Sequence, residues 1–233
     1  MPEKQIDIIV PVYNEEEGLE EFYTRLRALD LNLHPIFIDN ASTDNSLRIL
    51  EGFDGVTIIR HRSNEGYGAS LRDGIRAAGT EKIIIIDADC EYPPEAIPDL
   101  VHALDRHEVV YTSRFLDDRN RGMGFVKTFG NILISKLFNR LFDQNVTDLY
   151  TGSKGFQRSV VAHLPMERTG FEHVLEVAAR LARQGITIYE IPVDFRARQT
   201  GSSKMSHLWE TVKYLYFLFF YFFTLPSSGN DAS

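Results

Sequence analysis

The run KIIIID at 82–87 limits the folds open to this chain more than any other stretch. Four consecutive isoleucines do not alternate with polar residues, so a strand made of them must be covered on both faces. Their β-branched side chains also favour extended backbone over helix. Shorter runs of the same kind surround it: IDIIVPV (6–12), PIFID (35–39), VTIIR (56–60) and VVYTS (109–113). Between them lie segments of helical spacing, such as Leu19, Phe22, Tyr23, Leu26 and Leu29 after the acidic Glu15, Glu16 and Glu17. This alternation predicts an α/β fold: a mostly parallel sheet, KIIIID central, with helices on both faces. In such sheets ligands bind beyond the carboxyl ends of the strands. Here those ends are polar: Tyr13-Asn14-Glu15, Asp39-Asn40, Asp87-Ala88-Asp89 and Ser113-Arg114.

Other helices are expected after Ser42, Thr43 or Asp44 as N-cap, over about Gly66 to Ala78, and in PPEAIPDLVHAL with Pro93 or Pro94 in the first turn. Residues 123–142 read as an amphipathic helix with Lys127, Asn131 and Ser135 on one face. A further helix over 170–185 ends at Gly185, and a strand is expected over 186–198. The final helix, HLWETVKYLYFLFFYFFTL, precedes a tail at 226–233. No repeat or linker divides the chain, so 1–204 is expected to form one domain, with 205–225 as an amphipathic aromatic helix at a membrane interface and 226–233 as a disordered tail.

With 43% hydrophobic and 25% charged residues the composition is that of a globular protein. The lone Cys90 rules out an internal disulfide framework. The N-terminus lacks a basic-then-apolar signal pattern, so the cytoplasm is the expected compartment. The net charge of −8 argues against nucleic acid as a partner. It is unevenly spread: residues 1–105 hold 9 Lys/Arg and 21 Asp/Glu, whereas 106–213 hold 16 and 11. The basic half suggests a face that meets an anion. The aromatic run Tyr214–Phe223 is shorter than the ~20 apolar residues a spanning helix needs. It fits a core helix, a dimer contact with a second copy, or a helix lying in a membrane interface.

IIIIDADCEYPP carries the strongest chemical signal. Asp87, Asp89 and Glu91 are three carboxylates at the end of a buried strand, where they are costly unless a cation or donors satisfy them. Hard oxygens in this pattern suit Mg2+ or Mn2+. In RSNEGYGASLRDGI (62–75), Asn64, Gly66 and Gly68 allow either close approach of a ligand or a tight backbone packing. The position of the glycines after the third strand does not fit a dinucleotide fingerprint.

VPVYNEEEGL, IDNASTDNS, SNEGYGASLRDGI, IDADCEYPP, TSRF, TDLYTGSKGF and the segment from Arg198 to Lys204 follow one another in order. Together they resemble a family-2 glycosyltransferase of GT-A (Rossmann-like) fold, and within it the polyprenyl-phosphate sugar transferases, including dolichol-phosphate mannosyltransferase. The resemblance implies that Pro11, Tyr13, Glu15, Asp39, Asn40 and Gly66 meet the nucleotide of a GDP- or UDP-linked sugar. It implies that Asp87 and Asp89 meet that donor and the metal, with Glu91 where relatives often carry a Gln ligand. Asp89 and Arg114 are the catalytic candidates. Arg114, Lys127, Asn131, Arg198 and Lys204 match positions that hold the acceptor phosphate. Leu149 replaces a common Pro after Asp148. The implied reaction is single displacement with inversion, from a nucleoside diphosphate to a lipid phosphate, on the cytoplasmic face of a membrane to which the protein is peripherally bound.

The residues themselves offer no obvious base for a hydroxyl acceptor. Glu172 and Glu176, one helical turn apart, are the candidates if they are not simply a solvated face. A phosphate monoester, with second pKa near ~6, needs no base at neutral pH. A soluble saccharide acceptor and a non-catalytic binding module are the alternatives.

Overall fold

The computed structural model describes residues 5–117, 125–196 and 207–226; the side chains of 125–129 and 207–211 are outside that description. Among the described residues, seven strands form one sheet: β1 (Ile6–Val12), β2 (Leu33–Asp39), β3 (Thr57–Arg60), β4 (Lys82–Ile86), β5 (Val109–Ser113), β6 (Ser153–Gln157) and β7 (Ile188–Pro192). Their order is β3-β2-β1-β4-β6-β5-β7. The pairs β1–β2, β1–β4, β2–β3 and β5–β7 are parallel, while β6 is antiparallel to both neighbours. β4 is the central strand, and its four isoleucines are buried. GT-A-like α/β architecture is thus the fold.

The helices are α1 (Leu19–Arg27), α2 (Ser46–Leu50), α3 (Tyr67–Ala77), α4 (Ile97–Ala103), α5 (Phe125–Phe142), α6 (Arg158–Val161), α7 (His173–Arg183) and α8 (His207–Thr224). Successive β1 residues face opposite layers. Ile9 joins the layer of α3, α5, α7 and α8, whereas Ile8 and Val10 join that of α1 and α4. Burial of these side chains contributes roughly 1.5–3 kcal/mol each.

The strand order reverses direction between β1 and β4. β1 pairs with β2 as far as Val12, but with β4 only from Asp7 to Ile9. Pro11 lies past that point and has no N–H for a ladder. The strand ends therefore part, and this is the topological switch point where α/β sheets bind ligands.

Several local expectations are corrected. β6 and α6 were not foreseen, because SKGFQ has no apolar run or alternation. The strand expected over 186–198 spans only Ile188–Pro192. α2 starts at Ser46 after Asn45; Asp44 Oδ1 still accepts the Ser46 N–H at 2.9 Å, one residue before the helix boundary. On α5, Asn131 and Ser135 point toward Asp148 and the core, as described below. α8 is not an appendage: Leu218 and Tyr221 are 0% and 1% exposed. They lie in the core beside Phe138 of α5 and Leu181 of α7. No helix among the described residues is long and apolar enough to cross a membrane.

Candidate active site

Three neighbouring strands leave the sheet through left-handed residues. Asn14 follows β1 with φ 54°, Ala41 follows β2 with φ 60°, and Cys90 follows β4 with φ 58°. Non-glycine residues rarely adopt this conformation, and it concentrates at functional sites. Past these turns Glu15 comes close enough to Asp87 and Asp89 to act on their charge.

Asp87 is the first residue past β4. Its N–H donates to the Gly152 carbonyl at 3.2 Å, and its Oδ1 accepts the Tyr67 hydroxyl at 3.0 Å. A Cβ on Gly152 would lie 2.4 Å from Asp87 Oδ2 and 2.7 Å from the Tyr92 ring, so this position must lack a side chain. Asp89 Oδ1 accepts the Glu91 N–H at 3.0 Å. Burial pushes the Asp87 carboxyl up; Lys154 and the Tyr67 bond pull against it, while Glu91 and Glu15 add to the rise. Burial, Asp87 and Glu91 push Asp89 up as well. The pair thus holds excess negative charge that a cation would relieve.

Asp87, Asp89 and Glu91 do not converge as three ligands. Among the described residues, the one group of three or more side chains with ligand atoms mutually within 4.8 Å is His61, Glu65 and Asp73. Asp87 is turned onto Tyr67 and Asp89 onto its own turn. Asp87 and Asp89 stand as a pair of carboxylates two residues apart past the end of β4. Such a pair fits a hard cation that takes one or two carboxylates from protein and the rest of its shell from phosphate and water.

At the ends of β1 and β2, the N–H of Glu15 donates to Ser46 Oγ at 2.8 Å, and Pro11 sits at the mouth of the strand gap. Tyr13 lies between them, partly buried. Asp39 is 1% exposed; its Oδ1 accepts the Ser42 N–H at 3.1 Å, and its Oδ2 has no hydrogen-bond partner among the described residues. Asn40 and Gly66 both make contacts within the protein. Asn40 Oδ1 accepts from His61 Nδ1 and the Glu65 N–H, both at 2.9 Å, and its Nδ2 donates to Asn64 Oδ1 at 3.0 Å. Its amide is consumed in shaping the 61–66 loop.

Gly66 (φ 96°) and Gly68 admit protein backbone. A Cβ on Gly66 would lie 2.3 Å from the Thr169 carbonyl oxygen, and one on Gly68 2.5 Å from that of Arg168 and 2.6 Å from His173 Cβ. Gly68 N–H donates to Thr169 O at 2.7 Å. The first amides of α3 are thus capped by the 168–170 segment. Phe171 then stacks on Tyr67 with ring centroids 5.0 Å apart, which links this segment to Asp87.

Glu172 and Glu176 are not a solvated face. Glu176 is fully buried and accepts the Glu167 N–H at 3.1 Å, the Arg168 N–H at 2.9 Å and Arg180 Nη2 at 3.0 Å. Its oxygens are committed to structure. Glu172 pairs with Lys213 of α8 at 2.7 Å. Burial alone would raise its carboxyl, but the Lys213 bond prevails and holds it below the usual range.

The basic side is organised around a residue the sequence reading passed over, Asp148. Arg114 donates to it through Nε at 2.6 Å, Nη2 at 2.8 Å and its backbone N–H at 3.1 Å. Asn131 Nδ2 donates to the same carboxylate at 2.6 Å, and Ser135 Oγ donates to Asn131 Oδ1 at 3.1 Å. Asn131 therefore supports Asp148 from α5. Glu190 of β7 accepts the backbone N–H groups of Thr147 and Asp148 at 2.7 and 2.9 Å. The Arg114 guanidinium lies 5.6 Å from the Tyr92 ring centroid and 5.2 Å from that of Phe195. The Lys127 side chain, Arg198 and Lys204 lie outside the described residues.

Lys154 is the second residue missed. It sits on β6 opposite Ile85, is 3% exposed, and donates to the Thr151 carbonyl over the Tyr111 ring. Burial pushes its ammonium down to about 8, although Asp87 and Asp148 pull it up.

The family model described as glycosyl transferase family 2 matches residues 7–164, from β1 past β6. The chain belongs to glycosyl transferase family 2. Dolichol-phosphate mannosyltransferase of Pyrococcus furiosus is 26% identical over 228 residues, covering 91% of this chain and 63% of the relative. This chain thus spans less than two thirds of that relative's length. Glucosyl-3-phosphoglycerate synthase of Mycobacterium tuberculosis is similar in fold. Solved with Mn2+, UDP and glucosyl-3-phosphoglycerate, it gives a TM-score of 0.74 at 18% identity, over 97% of this chain and 82% of that one. Solved with phosphoglyceric acid, it gives 0.72 at 18% identity over the same shares.

Proposed function

We propose that this chain transfers a hexose, with inversion, from a GDP- or UDP-linked sugar to a polyprenyl phosphate at the cytoplasmic face of a membrane, with Mg2+ or Mn2+. The observation that carries this reading is a shared wall between two opposite charges. The Tyr92 ring, packed at Gly152 beside Asp87, is also the ring over which Arg114 lies. The donor diphosphate belongs on the acidic side and an anionic acceptor on the basic side.

Asp87 and Asp89 would hold the metal, which when bound offsets charge on the departing diphosphate. The unpaired Asp39 Oδ2 suits a hydroxyl or N–H donor of the nucleoside. Arg114, oriented by Asp148, lowers the repulsion between an incoming phosphate and the diphosphate. A phosphate nucleophile needs no protein base, which agrees with Glu176 being consumed internally and Glu172 being ion-paired. The relative named for dolichol phosphate supports this acceptor class. The synthase whose structure is similar holds phosphoglyceric acid, so a small soluble phosphate acceptor is the second reading.

The membrane part rests on α8. Val212, Tyr216, Phe219 and Phe223 recur on its outer face, and Phe223 is 77% exposed. Aromatic side chains on such a face suit headgroup depth. The test offers a panel of nucleotide sugars with a short polyprenyl phosphate or with 3-phosphoglycerate, each with Mn2+ or Mg2+. Transfer to the lipid phosphate alone supports the proposal; transfer to 3-phosphoglycerate alone overturns its acceptor.

A further inference from the structure

The cluster of His61, Glu65 and Asp73 is used neither by the proposed reaction nor by the core. His61 follows β3, Glu65 lies in the loop and Asp73 is on α3, with one ligand atom from each mutually within 4.8 Å. β2 and β1 lie between β3, which His61 follows, and β4, which leads to Asp87.

Its hydrogen bonds fix the tautomer of His61. Asn64 Oδ1 accepts the Gly66 N–H and Asn40 Nδ2, both at 3.0 Å, which sets the Asn40 amide with Oδ1 toward His61. Asn40 Oδ1 is an acceptor, so His61 Nδ1, at 2.9 Å, carries the proton. That leaves Nε2 as a lone pair in the neutral ring. His61 is 7% exposed, and Nε2 has no hydrogen-bond partner among the described residues. It faces Asp73 Oδ2 at 3.3 Å. Asp73 divides its oxygens: Oδ1 accepts Arg72 Nε at 3.3 Å and Arg76 Nη1 at 3.4 Å, while Oδ2 is turned to the imidazole. A buried lone pair beside two carboxylates requires either a second ring proton or a cation.

We propose that His61 Nε2, Asp73 Oδ2 and a Glu65 carboxylate oxygen bind a divalent transition cation of the zinc class. One nitrogen and two oxygens match that class better than Mg2+, which prefers oxygen alone. The Nδ1–H···Asn40 bond is the kind of outer contact that orients a metal-bound histidine. The ion would join β3, the 61–66 loop and α3 to Asn40 at the end of β2, and so stiffen the loop beside the strand ends.

The test strips the full chain with a chelator and titrates Zn2+ against a chromophoric competitor. Wild type and Asp89→Asn are expected to take up one Zn2+ each with equal affinity, because the site is separate from the Asp87 turn. Glu65→Gln, an exposed change that keeps the metal-free melting temperature, is expected to weaken Zn2+ about tenfold or more, and His61→Gln at least as much. Equal Zn2+ affinity in Glu65→Gln and wild type would overturn the site, as would loss of the ion in Asp89→Asn alone. Imidazole 15N shifts decide the remaining case. A metal-free His61 bare at Nε2 supports the proposal; a proton on both nitrogens makes the cluster a plain ion pair and overturns it.

Discussion

Lys154→Met tests how the sheet charges its own site. In the folded protein the ammonium is pushed from 10.5 to about 8, a net penalty on its charge of about 3 kcal/mol. Methionine fills similar space without that penalty, so removing the lysine relieves a cost. It also removes the cation that pulls the Asp87 carboxyl down. These two effects oppose each other. The predicted net change in stability is within about 2 kcal/mol, a few degrees in melting temperature for a chain of this size. The Asp87–Asp89 pair, by contrast, should titrate about one to two pH units higher. The assay is carboxyl 13C NMR on metal-free protein across pH 4–9, with a thermal melt beside it. An unmoved carboxyl titration would refute the reasoning, because Lys154 would then be serving only the Thr151 carbonyl and the packing.

Three further outcomes are expected. Burial raises Asp87 from 3.8 to about 6, so the folded protein retains a proton that the unfolded chain has lost. Stability of metal-free protein should therefore fall as pH rises from about 4 through 6, by about 3 kcal/mol relative to Asp87→Asn, as read from urea midpoints at each pH. Gly68→Ala places a methyl against the Arg168 and Gly170 carbonyls and His173, and should cost about 1–3 kcal/mol in thermal unfolding. Replacing Tyr216, Phe219 and Phe223 by Ser should abolish sedimentation with liposomes while leaving the melt nearly unchanged, since these side chains face outward; truncation after Lys204 is the poorer test, because it also removes core Leu218 and Tyr221.

The sheet was legible because its signal is local. Four isoleucines and the apolar runs beside them report burial on both faces, and the polar residues after each run mark the ligand end of a parallel sheet. β6 was not legible, since Ser153, Lys154 and Gly155 resemble a loop in isolation. Only the flanking β4 and β5 make them a strand, and only then does Lys154 come under Asp87. Asp87, Asp89 and Glu91 do not meet at one point in this arrangement, for the related reason that spacing does not give side-chain direction. Gly66 was legible as a place of close approach, but what approaches is the backbone of Thr169, a hundred residues away. Asn131 and Ser135 were read as a polar face, and α5 turns that face inward onto Asp148. In each case the missing information is a long-range contact.

The account stands on the Asp87–Asp89 pair as the place where cation and nucleotide meet. Calorimetric titration of UDP and GDP into wild type and Asp89→Asn, with and without Mn2+, tests it most directly. Wild type should bind one of the two nucleotides at least about tenfold more tightly with Mn2+, and Asp89→Asn should lose that gain. A nucleotide affinity indifferent to Mn2+, or an Mn2+ gain that survives in Asp89→Asn, would contradict the account.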